Sequence, residues 1–246
     1  MEAYQFIRRG TIHKDFCEDF MFTKSIKNRY HIYAVFDGCS TGIDSHFASA
    51  LLAKTVKAEL EFIDKEDLES AGLLLDALVY QSTQSLKEIR NALMLETEEL
   101  LSTLIVFVYD EDTNSGEILA FGDGFVSING KNFTIDQNNQ PEYISYYLDA
   151  INTFEDYEKI VADYGKKFSV DKLIDVSIST DGINSFEKSG SEVSSETQPE
   201  PCNFLVQNDY LRNNSAMLAR KCNILKTKFG LLNQDDIALI RVIKKP

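Results

Sequence analysis

IYAVFDG, residues Ile32–Gly38, is an apolar run that stops at an acid and a glycine. The pattern returns as ILAFGDG at Ile118–Gly124 and VSISTDG at Val176–Gly182. QDDIALIRV, Gln234–Val242, mirrors it by placing Asp235 and Asp236 immediately before the run. Short apolar runs rich in β-branched and aromatic residues, bounded by turn residues, read as strands. Glu18 and Asp19 likewise stand just before the short run FMFT. An acid at a strand terminus is held by a rigid scaffold yet faces solvent. Several converging there would form the oxygen-rich site that hard cations such as Mg²⁺ or Mn²⁺ prefer. Without a cation they could not all stay ionised, because like charges raise one another's pKa. Asp-Gly is also a common turn dipeptide, so spacing alone leaves both readings open, turn residues or a metal-carboxylate site.

Working outward from these runs, strands are expected at Ala3–Arg8, Phe20–Thr23 and Arg29–Phe36. A helix follows, capped by Asp44 or Ser45, with Phe47, Ala48, Leu51, Leu52, Val56 and Leu60 at helical spacing. A second helix is expected from about Asp67 to Leu93. Strands return at Thr103–Tyr109, Gly116–Phe121, Phe125–Ile128 and Phe133–Ile135, the last two joined by the hairpin dipeptide Asn129-Gly130. Further strands are read at Lys159–Tyr164 and Leu173–Ser179, a helix at Ser215–Phe229 and a closing strand at Ile237–Ile243. The region from about Gln137 to Phe168, rich in tyrosine and acids, reads as a flap or a packed subdomain. Glu187–Pro201 is rich in Ser, Glu and Pro and reads as a mobile surface loop inside one domain spanning 1–246. The element order excludes a doubly wound parallel sheet. It predicts an α+β fold of antiparallel sheets with helices packed outside.

The chain has 246 residues, with 25 Lys+Arg against 39 Asp+Glu, a formal net charge of −14. That balance argues against nucleic acid and anionic membranes as partners. No stretch approaches the length of an apolar membrane span, and the N-terminus carries no apolar leader core. The four cysteines form no CxxC pair, and three histidines are too few for a His-rich zinc site. The expectation is a soluble protein of the reducing cytoplasm.

The ordered blocks ED, VFDG, GDG, STDG and DDIALI resemble the metal-dependent type 2C protein phosphatases, the PPM family, over nearly the whole chain. The resemblance implies a four-layer α-β-β-α sandwich, two antiparallel sheets between helix pairs. It implies two Mn²⁺ or Mg²⁺ ions, with a third in bacterial members, and a phosphorylated protein substrate, with the chain acting as a monomer. Carried over by motif, Asp37 would bridge two metals and Gly38 would offer its backbone carbonyl. Asp181 and Asp235 would be direct ligands, and Glu18 and Asp19 would act mainly through metal-bound waters. Asp123 would join Asp181 at the third metal, and Asp236 falls at the family's usual Asn position. Paired cations lower the pKa of a shared water enough to attack phosphorus at neutral pH, and phosphoryl transfer needs positioning and charge neutralisation.

Two positions depart from the family pattern, and both concern substrate. Lys14 stands where the family commonly has a phosphate-gripping arginine; it keeps the charge but loses the bidentate fork. Arg8 or Arg9 is an alternative for that role. Cys39 replaces the histidine to which a general-acid role is assigned, and a thiol of unperturbed pKa about 8.5 is a poor replacement. The retained Asp37, Asp181 and Asp235 imply phosphomonoester hydrolysis through a metal-bridging water, with phosphoserine or phosphothreonine on a protein as the substrate. The two replacements imply a rival, a phosphatase-like module that binds a partner without catalysis.

Overall fold

Two antiparallel five-stranded sheets lie face to face in the computed structural model, which describes residues 1–63, 69–136, 140–189 and 197–245. The first sheet has the order β1 (Glu2–Arg8), β12 (Ile237–Ile243), β9 (Asp175–Ser179), β6 (Gly124–Ile128), β7 (Lys131–Ile135). The second has the order β2 (Asp19–Ile26), β3 (Tyr30–Asp37), β4 (Leu104–Asp110), β5 (Ser115–Phe121), β8 (Lys166–Val170). Helices α1 (Ser45–Ile63), α2 (Ala71–Leu93) and α3 (Phe154–Tyr164) pack on the outer face of the second sheet. Helices α4 (Pro201–Val206) and α5 (Met217–Phe229) pack on the outer face of the first. A two-stranded pair, β10 (Phe186–Lys188) with β11 (Leu231–Asn233), flanks them. This is the expected α-β-β-α sandwich.

The continuous apolar runs follow from this layering. In β3, Ile32, Ala34 and Phe36 enter the core under α1 and α2, while Tyr33 and Val35 enter the core between the sheets. In β12, Leu239 and Ile243 face α4 and α5, while Ala238, Ile240 and Val242 face the other sheet. A strand covered on both faces has no solvent side for polar residues, so the period-2 alternation disappears. Burying each such side chain contributes about 1.5–3 kcal/mol, which makes these central strands the main source of stability.

Strand direction then gathers the acids. Asp19 at the start of β2 pairs with Asp37 at the end of β3. Ser179, the last residue of β9, pairs with both Phe125 near the start of β6 and Leu239 near the start of β12. The residues flanking these termini, Asp123, Asp181 and Asp235, therefore share one end of the sandwich.

Three expectations are corrected. Lys159–Tyr164 is the second half of α3, and the strand there is β8, from Lys166. Thr153 and Asp156 form a reciprocal capping box at the start of α3, and Tyr157 and Val161 bury four residues apart on one face. That spacing is helical. The expected loop Glu187–Pro201 includes the end of β10 and the first residue of α4, with Glu200 capping the helix through Cys202 N and Asn203 N. Its residues 190–196 lie outside the described residues, as do Asp67, read as the start of the second helix, and Gln137. The second helix instead begins at Ala71, capped by Ser70. The Asn129-Gly130 hairpin is present, both residues in the left-handed region, with Ile128 opposite Lys131. In the region read as a flap or subdomain, Tyr143, Ile144, Leu148, Ile151 and Tyr157 are buried, the packed alternative.

All four cysteines are free. Among the described residues no helix is long and apolar enough to cross a membrane.

Candidate functional site

Close backbone approach assembles the acidic end. A Cβ on Gly38 would stand 1.9 Å from the Ser45 carbonyl oxygen, and one on Gly182 would stand 1.6 Å from that of Asp236. Only glycine lets the VFDG turn meet α1 and the STDG turn meet the start of β12. Gly38 N donates to Glu18 O, and Asp37 N donates to Thr103 Oγ1. The buried Asp236 carboxylate accepts from Gly10 N at 2.6 Å and Glu18 N at 2.5 Å, so it pins the segment that leads into β2.

Four carboxyls meet within this frame. The Asp37 carboxyl lies against those of both Asp19 and Asp181. Thr180 Oγ1 donates to Asp19 Oδ2 at 2.7 Å and accepts from Ala238 N, which fixes the orientation of Asp19. Burial, then the charges of Asp19, Asp181 and Asp235, raise Asp37 well above the carboxylate range. Burial pushes Asp19 up to about 8, and burial with Asp235 pushes Asp181 up to about 6. Asp235 is raised as well, by burial first. Without cations these groups hold protons between them.

Glu18 adjoins the group and accepts a hydrogen bond from Ser40 Oγ at 2.8 Å. Asp123 is half-buried and faces Asp181 across a cavity of 420 Å³, also lined by Asp136, Asn184, Ser185 and Asp235. A larger cavity, 520 Å³, lies at the opposite end of the first sheet, lined by Lys172, Arg212, Lys244 and Lys245. It is remote from the acids, so its size does not make it the site of their chemistry.

The donor set suits hard divalent cations. Among the described residues no three His, Cys, Asp or Glu side chains surround one point as a ready-made ligand set; the carboxyls lean on one another instead. Yet Asp19 Oδ1 and Asp181 Oδ1 are buried with no hydrogen-bond partner. Buried carboxylate oxygens without donors are costly, and a cation bound by oxygen ligands would compensate them.

The substrate-side residues fall out differently. Lys14 is exposed on the strip before β2. Arg9 Nη1 donates to the carbonyl of Lys14, and Arg8 Nη2 donates to Asn223 Oδ1 on α5, so neither arginine is turned to the acids. Cys39 is half-buried beside Thr41 and Tyr143. Burial opposes its thiolate, but hydrogen bonds from these two residues outweigh that and lower its pKa. His46 stacks on Phe16 rather than facing the acids.

Sequence reading missed three neighbours. His13 places Nδ1 2.8 Å from Asp236 Oδ2 and Nε2 3.4 Å from Asp235 Oδ1. Burial works against its charged form, but Asp236, Glu18 and Asp235 raise its pKa on balance. Its only signal was its place one residue before Lys14. Thr180 lay inside the STDG block, and Asp136 closes the run FTID, the same strand-end signal as the other acids.

A sequence model described as protein phosphatase 2C matches residues 8–213. The chain belongs to the protein phosphatase 2C family. Comparison with curated proteins yields no match. Among solved structures, a variant of a bacterial serine phosphatase is 14% identical with a TM-score of 0.63, covering 100% of this chain and 99% of that one. Serine/threonine phosphatase Stp1 from Staphylococcus aureus is 13% identical with a TM-score of 0.60, covering 100% and 95%. The catalytic domain of the serine/threonine protein phosphatase PstP, solved with two manganese ions, is 15% identical with a TM-score of 0.55, covering 99% and 98%. At these identities the structures establish that the protein phosphatase 2C fold extends over the whole chain.

Proposed function

We propose that this protein phosphatase 2C member hydrolyses phosphomonoesters with Mn²⁺ or Mg²⁺, acting on phosphoserine or phosphothreonine in a protein. The observation that carries the reading is the meeting of Asp19, Asp37, Asp181 and Asp235 at one sandwich end, with two buried oxygens lacking donors. Asp37, Asp181 and Asp235 would hold two cations directly, with the Gly38 carbonyl, and Glu18 and Asp19 would hold their water shell. Asp123 with Asp181 would hold a third. Bound cations supply an activated water and neutralise charge on the phosphoryl oxygens.

The chain's own residues do the positioning. Thr180 orients Asp19, Thr103 fixes the backbone at Asp37, and Asp236 holds the segment carrying His13, Lys14 and Glu18. Lys14, exposed on the strip before β2, would offer its charge to a phosphate arriving from solvent. The test is hydrolysis of p-nitrophenyl phosphate with Mn²⁺, beside an EDTA sample and Asp181→Asn. Activity should require metal and fall at least about 100-fold in the variant; equal rates in all three samples would refute the reading.

The placement of Cys39 supports a second reading, a partner-binding module. No histidine takes the place of its thiol among the described residues, because His46 is stacked on Phe16 and His13 lies at Asp235 and Asp236. Folded, metal-loaded protein with no hydrolysis would favour that reading.

A further inference from the structure

The loop Cys39–Ile43 stands between two aromatic groups. On one side Phe16 lies flat on His46, with ring centroids 4.2 Å apart and planes 11° from parallel. On the other, Tyr143 bonds Cys39 and packs edge-on against Tyr146, centroids 5.5 Å apart. Three large apolar side chains project from this strip: Phe16 is 59% exposed, Ile43 53% and Tyr146 49%. The backbone beneath is pinned. Ile43 N donates to Glu98 O at 3.0 Å, and Gly42 N donates to Cys39 O at 2.8 Å. Exposed apolar groups gathered round one fixed loop, Phe16 through its stack on His46 and Tyr146 through Tyr143, mark a surface built to be covered.

The strip borders the acid group. It begins two residues after Asp37, and Ser40 bonds Glu18. Its surroundings are negative: Glu98 and Glu142 both act on the Tyr146 hydroxyl, and the chain as a whole carries −14. A covering partner should therefore be apolar at its centre and basic at its edges.

We propose that Phe16, Ile43 and Tyr146 form the docking surface for the segment around a phosphorylated side chain, selecting an apolar neighbour and basic flanking residues. The inference rests on the phosphatase reading for why a phosphorylated segment comes here. Its binding test does not require turnover.

The test uses the full chain with Mn²⁺ and three fluorescent peptides carrying a hydrolysis-resistant phosphonate. One has leucine beside the phosphonate and lysines further out, one has serine in place of leucine, and one has glutamates in place of the lysines. Anisotropy should show the first binding about tenfold tighter than either other. Phe16→Ala and Tyr146→Ala, checked for an unchanged melting temperature, should each reduce that preference to about threefold or less. Their hydrolysis of p-nitrophenyl phosphate should stay at the wild-type rate, since neither residue belongs to the acid group. Equal binding of the three peptides, or a preference that survives both substitutions, would overturn the inference. Wild-type protein that hydrolyses no p-nitrophenyl phosphate would overturn the phosphatase reading instead, leaving the anisotropy to decide the docking surface.

Discussion

Asp37 sits half-buried between two other carboxyls, and that crowding has a thermodynamic signature. Its folded-state pKa lies well above that of an unfolded aspartate, as do those of Asp19, at about 8, and Asp181, at about 6. Raised carboxyls mean that the metal-free native state binds more protons than the unfolded chain, so its stability falls as pH rises from about 4 toward 8. A divalent cation replaces those protons and removes the penalty. The difference in melting temperature between Mn²⁺ and EDTA samples should therefore be small at pH 5 and widen up to pH 8. Asp37→Asn should flatten that difference. A gap independent of pH would contradict the picture of a proton-filled acid group. The strand-end aspartates were legible in the sequence because the pattern, apolar run then Asp-Gly, was repeated. Thr180 and His13 were not, since their contribution depends on contacts across more than 150 positions of chain, Thr180 with Asp19 and His13 with Asp235 and Asp236.

At the scale of elements, β12 shows what a central strand tolerates. Six of its seven residues are apolar core, yet Arg241 is fully buried among them. Its Nε and Nη2 grip Asp175, Nη2 also reaches Asp209, and Nη1 donates to the carbonyls of Leu205 and Asn208. Every donor is used, so the charge is tolerated. Arg241→Met should cost about 3–5 kcal/mol in urea unfolding, because it leaves the Asp175 carboxylate without its donor, although Lys221 Nζ still donates to the carbonyls of Leu205 and Asn208. A loss under about 1 kcal/mol would show that solvent already satisfies the carboxylate. The long elements could be read because their apolar periodicity reflects two-sided or one-sided burial directly. The segment Lys159–Tyr164 could not, because Ile160, Val161 and Tyr164 also suit a short strand; the deciding signal, the Thr153–Asp156 box, lies outside it. The short pieces β10, β11 and α4 carry too few residues for any period to show.

Over the whole molecule, the net charge of −14 sits awkwardly with a phosphate-bearing substrate. On the proposed function, cations bound by the acid group would reverse the sign locally, while the surrounding surface stays negative. Substrate segments rich in lysine should thus be drawn in by a field that salt weakens. The kcat/KM for a lysine-flanked phosphopeptide should fall several-fold between about 0.05 and 0.5 M NaCl, where the Debye length contracts to roughly 4 Å. The value for p-nitrophenyl phosphate should change less. An equal response of both substrates would remove the role given to the acidic surface.

The central claim is that the acids at one end of the sandwich are a paired-cation site. Electron paramagnetic resonance of the chain titrated with Mn²⁺ tests it most directly. Two ions per chain, giving a spin-coupled signal that Asp37→Asn abolishes, is the predicted result. Folded protein that binds no Mn²⁺, or only isolated ions unaffected by Asp37→Asn, would contradict it.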